Sequence, residues 1–203
     1  MRKYFHAISA LTLTAFLSGC ASYNASSLKS LASDAIIESH NPDFQDGLVV
    51  IAKAFNKDDC KKYLDRDVIK EGYQPIQIYI QNNSTKNYVF SLDRISMCCS
   101  RPEEVARKVH TSTAGRAIGY AVGSLFMLPL AIPAVVDAVK SSKANESLDY
   151  DFSVKAASDQ VIYPSCNLNK ILFTRLQGYN STFDITLIES ETNKPRTFRV
   201  HAS

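Results

Sequence analysis

The segment PIQIYIQ (75–81) sets Ile76, Ile78 and Ile80 on one face of an extended chain and Gln77, Tyr79 and Gln81 on the other. Strict period-two alternation suits a strand with one face in a core and the other in water. The same signal recurs along the chain. LVVIAKAF (48–55) lies between the turn residues Asp46-Gly47 and Asn56-Lys57-Asp58. NYVFSLDRISM (87–97) follows the turn Asn82-Asn83-Ser84 and is expected to return antiparallel beside 75–81 as a hairpin. QVIYP (160–164), NKILFTRL (169–176), STFDITLIE (181–189) and PRTFRVHA (195–202) complete the set. Between the first strands, 58–72 has room for one or two helical turns ending at Gly72.

About seven strands with turn chemistry between them predict a β-rich α+β fold. Its body is an antiparallel, immunoglobulin-like sandwich, with a small barrel as the alternative. The chain has no Trp, so the Cys…Trp…Cys core of a true immunoglobulin domain is missing.

A helical insert, residues 100–157, interrupts the strands and carries a helical hairpin over about 102–156. Ser100 and Glu103 have the spacing of a capping box, with Pro102 at the first helical position. No further breaker occurs before Pro129, so a helix is expected from 102 to about 127. A second helix is expected from Pro133 to about 156. Alternation over 148–155 offers a strand as the competing choice, but nothing from Ala134 to Ser147 resembles a turn.

No charge occurs from Ala117 to Val136, a length that first suggests a membrane span. Yet Pro129 and Pro133 would fall inside a straight helix. Gly115, Gly119 and Gly123 on the first leg match Ser142, Ala138 and Ala134 on the second when the legs run antiparallel about Leu128-Pro129. Small residues four apart let helix backbones approach closely. Folded this way, the first apolar leg is about 12 residues, or about 18 Å, far short of the roughly 30 Å a span requires. The hairpin's outer face is expected to pack on the sheet. The alternative dips its tip, Phe126, Met127, Leu128 and Leu130, into a membrane.

The N-terminus reads as an export signal. Arg2 and Lys3 precede an apolar run from Phe5 to Leu17, which is too short and wrongly flanked for a spanning helix. Leu17-Ser18-Gly19-Cys20 resembles the lipobox of bacterial lipoproteins. The resemblance implies removal of residues 1–19 and acylation of Cys20, so the only attached group expected is covalent lipid, such as palmitate. With Ala21 rather than Asp after the cysteine, it also implies the outer membrane. On this reading residues 20–46 form a lipidated cysteine and tether, and 47–203 form a single domain. Over 115–142 the chain also resembles the glycine-zipper hairpins of outer-membrane lipoproteins, although its second leg uses Ala and Ser.

Export changes how the remaining cysteines read. Cys60, Cys98, Cys99 and Cys166 allow three pairings, and a bond joining Cys60 or Cys166 to the vicinal pair fits disulfide geometry better than one within the pair. No CxxC or HxxxH spacing favours a metal.

With a formal net charge of +3 and no basic run, the chain is not expected to bind nucleic acid. No nucleophile–base, Walker or dinucleotide motif occurs. A non-catalytic envelope lipoprotein is therefore expected, acting as a protein- or membrane-interaction module. The alternative is a carrier of apolar or lipid cargo in a cavity between sheet and hairpin.

Overall fold

A computed structural model describes residues 22–32, 43–111 and 131–202, with backbone alone for 43–45 and 131–140. The chain divides into two compact units. Residues 24–109 and 149–203 make the first unit; the described part of the second is 22–23, 110–111 and 131–148.

The first unit is built on two four-stranded antiparallel sheets. Its strands are β1 (Asp43–Gln45), β2 (Leu48–Ala54), β3 (Tyr73–Asn82), β4 (Tyr88–Phe90), β5 (Gln160–Ile162), β6 (Asn167–Arg175), β7 (Thr182–Glu189) and β8 (Pro195–His201). One sheet runs β1-β2-β3-β6 and the other β5-β4-β7-β8. Ile76, Ile78 and Ile80 of the first sheet and Phe90, Ile185 and Phe198 of the second belong to one buried core cluster. The alternation in β7 is visible directly, since Phe183, Ile185 and Leu187 are buried while Asp184, Thr186 and Ile188 are only partly so.

The expected hairpin between 75–81 and 87–97 does not form. β3 pairs with β2 on one side and with β6 on the other, from Tyr73 opposite Arg175 to Gln81 opposite Asn167. Strand β4 lies in the second sheet and stops at Phe90, where Leu92–Arg94 turn as a 3₁₀ helix. The physical cause is Asn82, which is fully buried between the sheets. Its Nδ2 donates to the carbonyls of Lys86 (2.7 Å) and Ile162 (3.0 Å), and its Oδ1 accepts from Ser84 N (3.0 Å) and Ser84 Oγ (2.7 Å). These bonds hold a sheet-to-sheet crossing where turn residues alone also suit a hairpin.

β3 is also buried on both faces, against expectation. Gln77 and Tyr79 are covered because residues 24–32 lie over the outer face of the first sheet. Leu31 packs with Ile51 and Tyr79. Gln77 Nε2 donates to the Lys29 carbonyl at 2.6 Å, and Ser26 N donates to Lys62 O at 2.8 Å. Residues 24–32 therefore belong to the first folded unit.

Helix α1 (Lys57–Leu64) carries a capping box that the sequence reading missed. Asp59 N donates to Asn56 Oδ1 at 2.9 Å, while Asp59 Oδ2 accepts from Asn56 N at 3.3 Å. The helix ends at Leu64, with Asp65 in the left-handed region (φ 49°), well before Gly72. Helix α2 (Pro102–Lys108) is capped by Arg101 rather than Ser100, without a side-chain bond, and it stops far short of 127. Ser100 is diverted because its N–H donates to Phe173 O at 2.6 Å, on the open edge of β6. Ala157 N donates to Ile171 O at 2.8 Å on the same edge. Both roots of the insert thus cap a strand whose bare N–H and C=O groups invite aggregation.

Helix α3 (Ala131–Lys155) settles the choice over 148–155 in favour of helix. Phe152 stacks on Phe173 with ring centroids 5.5 Å apart. Lys155 Nζ bonds Asp151 Oδ2 at 2.6 Å and the Tyr63 carbonyl at 2.7 Å, tying the end of α3 to the end of α1. In the second unit, Thr111 N donates to Asn145 Oδ1 at 2.9 Å, and Asn145 Nδ2 donates to Thr111 O at 3.4 Å.

Candidate functional site

One end of the first unit holds an open cleft of about 970 Å³. Two separate stretches of chain build it. Cys98–Arg101 lead into α2, which contributes Glu103, Glu104 and Arg107, while the end of β6 contributes Thr174 and Arg175, and the 3₁₀ turn Leu176–Gly178 after it contributes Gln177 and Gly178. The register of β3 with β6 sets Tyr73 opposite Arg175. Both side chains then reach Glu104 Oε1, Tyr73 OH at 2.8 Å and Arg175 Nη2 at 2.7 Å. The Tyr73 hydroxyl, and after it the Arg175 guanidinium, hold the Glu104 carboxyl below its ordinary value. Burial, followed by the Glu104 contact, pushes the Tyr73 phenol up.

This arrangement fixes a guanidinium rather than freeing a base. Glu104 keeps its charge by serving two donors, and Arg175 is held at the mouth with most of its surface in water. Arg107 Nε is tied to the Glu103 carbonyl at 3.2 Å. The walls therefore present the Glu104 carboxylate and the Arg175 and Arg107 guanidinium groups on anchored side chains. A second cavity beside it, of about 80 Å³, lies among Leu92, Ala156, Ala157, Ile171 and Phe173. That space is far below the few hundred Å³ of a typical ligand pocket.

The sequence-predicted residues fall in different places. Cys20, Gly115, Gly119, Gly123, Phe126, Met127, Leu128 and Leu130 lie outside the described residues. Ala134 and Ala138 are helical in α3, where the backbone alone is described. Ser142 is exposed and donates to Glu146 Oε1 at 3.3 Å. The buried positions there are Ser141, Ala144 and Leu148, one residue from the expected Ser142.

No disulfide joins the four described cysteines; all are free thiols. Cys60 is buried in α1, and burial, reinforced by Asp67, pushes its thiol up to about 12. Cys98 is exposed at the cleft, and its half-buried neighbour Cys99 is pushed up to about 11, chiefly by burial. Cys166 is exposed at the opposite end of β3, where its carbonyl accepts from Asn82 N at 3.0 Å.

Among the described residues no group of three His, Cys, Asp or Glu side chains is placed to hold a metal, and no helix is long and apolar enough to cross a membrane. Sequence reasoning missed Tyr73, Glu104 and Arg175 as a group. Glu104 is one of two acids in the first turn of α2, and strand register sets its partners Tyr73 and Arg175 opposite each other. No protein-family model, curated protein or solved structure matches the chain.

Proposed function

We propose that this chain is a lipid-anchored cell-envelope lipoprotein, held at the outer membrane through Cys20. Its role is non-catalytic, an interaction module that meets a partner protein or the membrane surface. The observation that carries the reading is the open cleft with guanidinium and carboxylate walls on pinned side chains. Such a surface fits a polar partner. The carrier alternative places its cavity between sheet and hairpin, where residues 112–130 lie outside the described residues.

The body of the module is an immunoglobulin-like sandwich. With β1 set aside, the orders β2-β3-β6 and β5-β4-β7-β8 correspond to the constant-type arrangement with its fourth strand moved to the other sheet. Supporting the helical hairpin of the insert is the Thr111–Asn145 contact, which lies one residue from the antiparallel line that matches Gly115 with Ser142.

The test compares the full chain with Cys20→Ser in liposome flotation and in labelling with a radioactive fatty acid. The full chain should take up label and float, and the variant should do neither. Flotation of the Cys20→Ser form that is abolished by Phe126→Asp and Leu128→Asp would instead show that the hairpin tip enters the membrane. An unlabelled, non-floating full chain would remove the anchor from this reading.

A further inference from the structure

We propose that the end of the first unit carrying the α1 C-terminus and the guanidinium-lined cleft faces the lipid surface, with its cations toward headgroup phosphates. This names the partner of the cleft and rests on the acylation of Cys20 proposed above. The argument begins from how little chain is free. Asn24 N donates to Asp65 Oδ2 at 3.1 Å and Ser26 N to Lys62 O at 2.8 Å, both at the end of α1. From Asn24 back to Cys20 is four residues, which span at most about 14 Å even when fully extended. An acyl chain on Cys20 therefore cannot lie far from Lys62 and Asp65.

The docked segment also has a direction. It leaves α1 at Ser26, reaches Gln77 at Lys29, and packs Leu31 on Tyr79 and Ile51. It thus advances along β3 away from the anchored end. Phe55 N bonds Pro75 O, so α1 begins at the same end of the sheet where β3 starts. Gln74 pairs with Thr174 at that level, and Thr174 Oγ1 donates to the Cys98 carbonyl at 2.9 Å, which brings in the cleft. Cys166 is bonded at Asn82, at the far end of β3. Seven residues of strand separate the Gln74 level from Gln81, or about 23 Å.

The chemistry of the near end suits phosphate. Lys61 and Lys62 occupy the last turn of α1, while Arg101, Arg107 and Arg175 line the cleft. Several acids of this end are already engaged: Asp65 with Arg66 and Asn24 N, Asp67 with Lys70 N, and Glu104 with Arg175 and Tyr73. Glu103 is the acid in the cleft that opposes them. Arginine forks bind phosphate bidentately, and juxtamembrane cations gain attraction from anionic lipid.

The two exposed native thiols serve as reporters. A donor dye is placed on Cys98 in a Cys166→Ser chain, or on Cys166 in a Cys98→Ser chain. Each lipidated chain is then reconstituted in phosphatidylethanolamine–phosphatidylglycerol vesicles carrying a headgroup-linked acceptor. Energy transfer should be at least twofold more efficient from Cys98 than from Cys166. Adding Arg101→Glu and Arg107→Glu should reduce that ratio, as should replacing phosphatidylglycerol by phosphatidylcholine. Equal transfer from the two sites, or stronger transfer from Cys166, in a chain shown to carry fatty acid on Cys20 would overturn the orientation and leave the anchor standing. A chain carrying no fatty acid would overturn both.

Discussion

Gln77 donates a 2.6 Å hydrogen bond from Nε2 to the carbonyl of Lys29, and from the same nitrogen a 2.7 Å bond to Asn169 Oδ1. One buried amide thus joins an N-terminal segment to two neighbouring strands. Replacing it by alanine leaves the Lys29 carbonyl relying on Asn169 Nδ2, 3.3 Å away. Gln77→Ala is expected to cost about 1 kcal/mol in urea unfolding. Trypsin should also cut after Lys29 several-fold faster in this variant, because local opening governs cleavage. Gln160→Ala, which removes only a weak 3.4 Å contact to Ser158 O, is the control and should change neither measurement. Unchanged cleavage in Gln77→Ala would mean that Leu31 alone holds the segment.

Asn82 decides which sheet the chain enters after β3. Asn82→Ala would strand two carbonyls and the Ser84 N–H at a buried crossing, and is expected to cost about 3 kcal/mol in urea unfolding. Asn82→Asp keeps the acceptor for Ser84 but turns a carboxylate toward the carbonyls of Lys86 and Ile162. It should therefore be the worse of the two. If aspartate proves equal to or better than alanine, the two donated bonds are not what fixes the crossing.

Strand positions were legible because a half-buried strand writes its burial into every second residue, as in Phe183, Ile185 and Leu187. Partnership between strands was not. Asn82-Asn83-Ser84 is equally good turn chemistry for a hairpin and for a crossing between sheets, and only the buried side-chain bonds of Asn82 separate them. The cover over Gln77 and Tyr79 comes from a Ser- and Ala-rich segment some 50 residues upstream, whose single strong apolar anchor is Leu31. Ser100 satisfied the capping-box pattern, but its N–H had a better use on the edge of β6. The cleft left no local trace, since Tyr73, Glu104 and Arg175 meet only after register and insert are both in place.

Glu104 makes stability depend on pH in a calculable direction. Its carboxyl is held below the ordinary 4.5 by Tyr73 and then Arg175, so the folded state binds this proton less readily than the unfolded chain. The contribution is fully present above about 4.5 and is lost as pH falls through the lower folded-state value. Asp159 acts in the same sense through Ser91 Oγ and Leu92 N, starting from an ordinary 3.8. Thermal midpoints followed from pH 6 down to pH 3 should fall in the native chain. In Glu104→Gln they should start lower at pH 6 and fall less steeply. Parallel curves for the two proteins would show that Glu104 titrates alike in both states.

The four described thiols should separate by reactivity. Cys98 and Cys166 are exposed, Cys99 is half-buried, and Cys60 is fully buried. Thiolate is the attacking species. Burial pushes Cys99 up to about 11 and Cys60 up to about 12. At pH 8 their thiolate fractions are on the order of 10⁻³ and 10⁻⁴, before access is considered. A disulfide reagent added to the reduced Cys20→Ser chain should therefore modify Cys98 and Cys166 within minutes and spare Cys60 and Cys99 until urea unfolds the protein. Mass spectrometry of the digested chain assigns each site. Early modification of Cys60 would mean that α1 opens readily from the sheet. That would also loosen the clamp that Lys62 and Asp65 make on the N-terminal segment, so the stretch after Lys29 would become trypsin-sensitive in the same preparation.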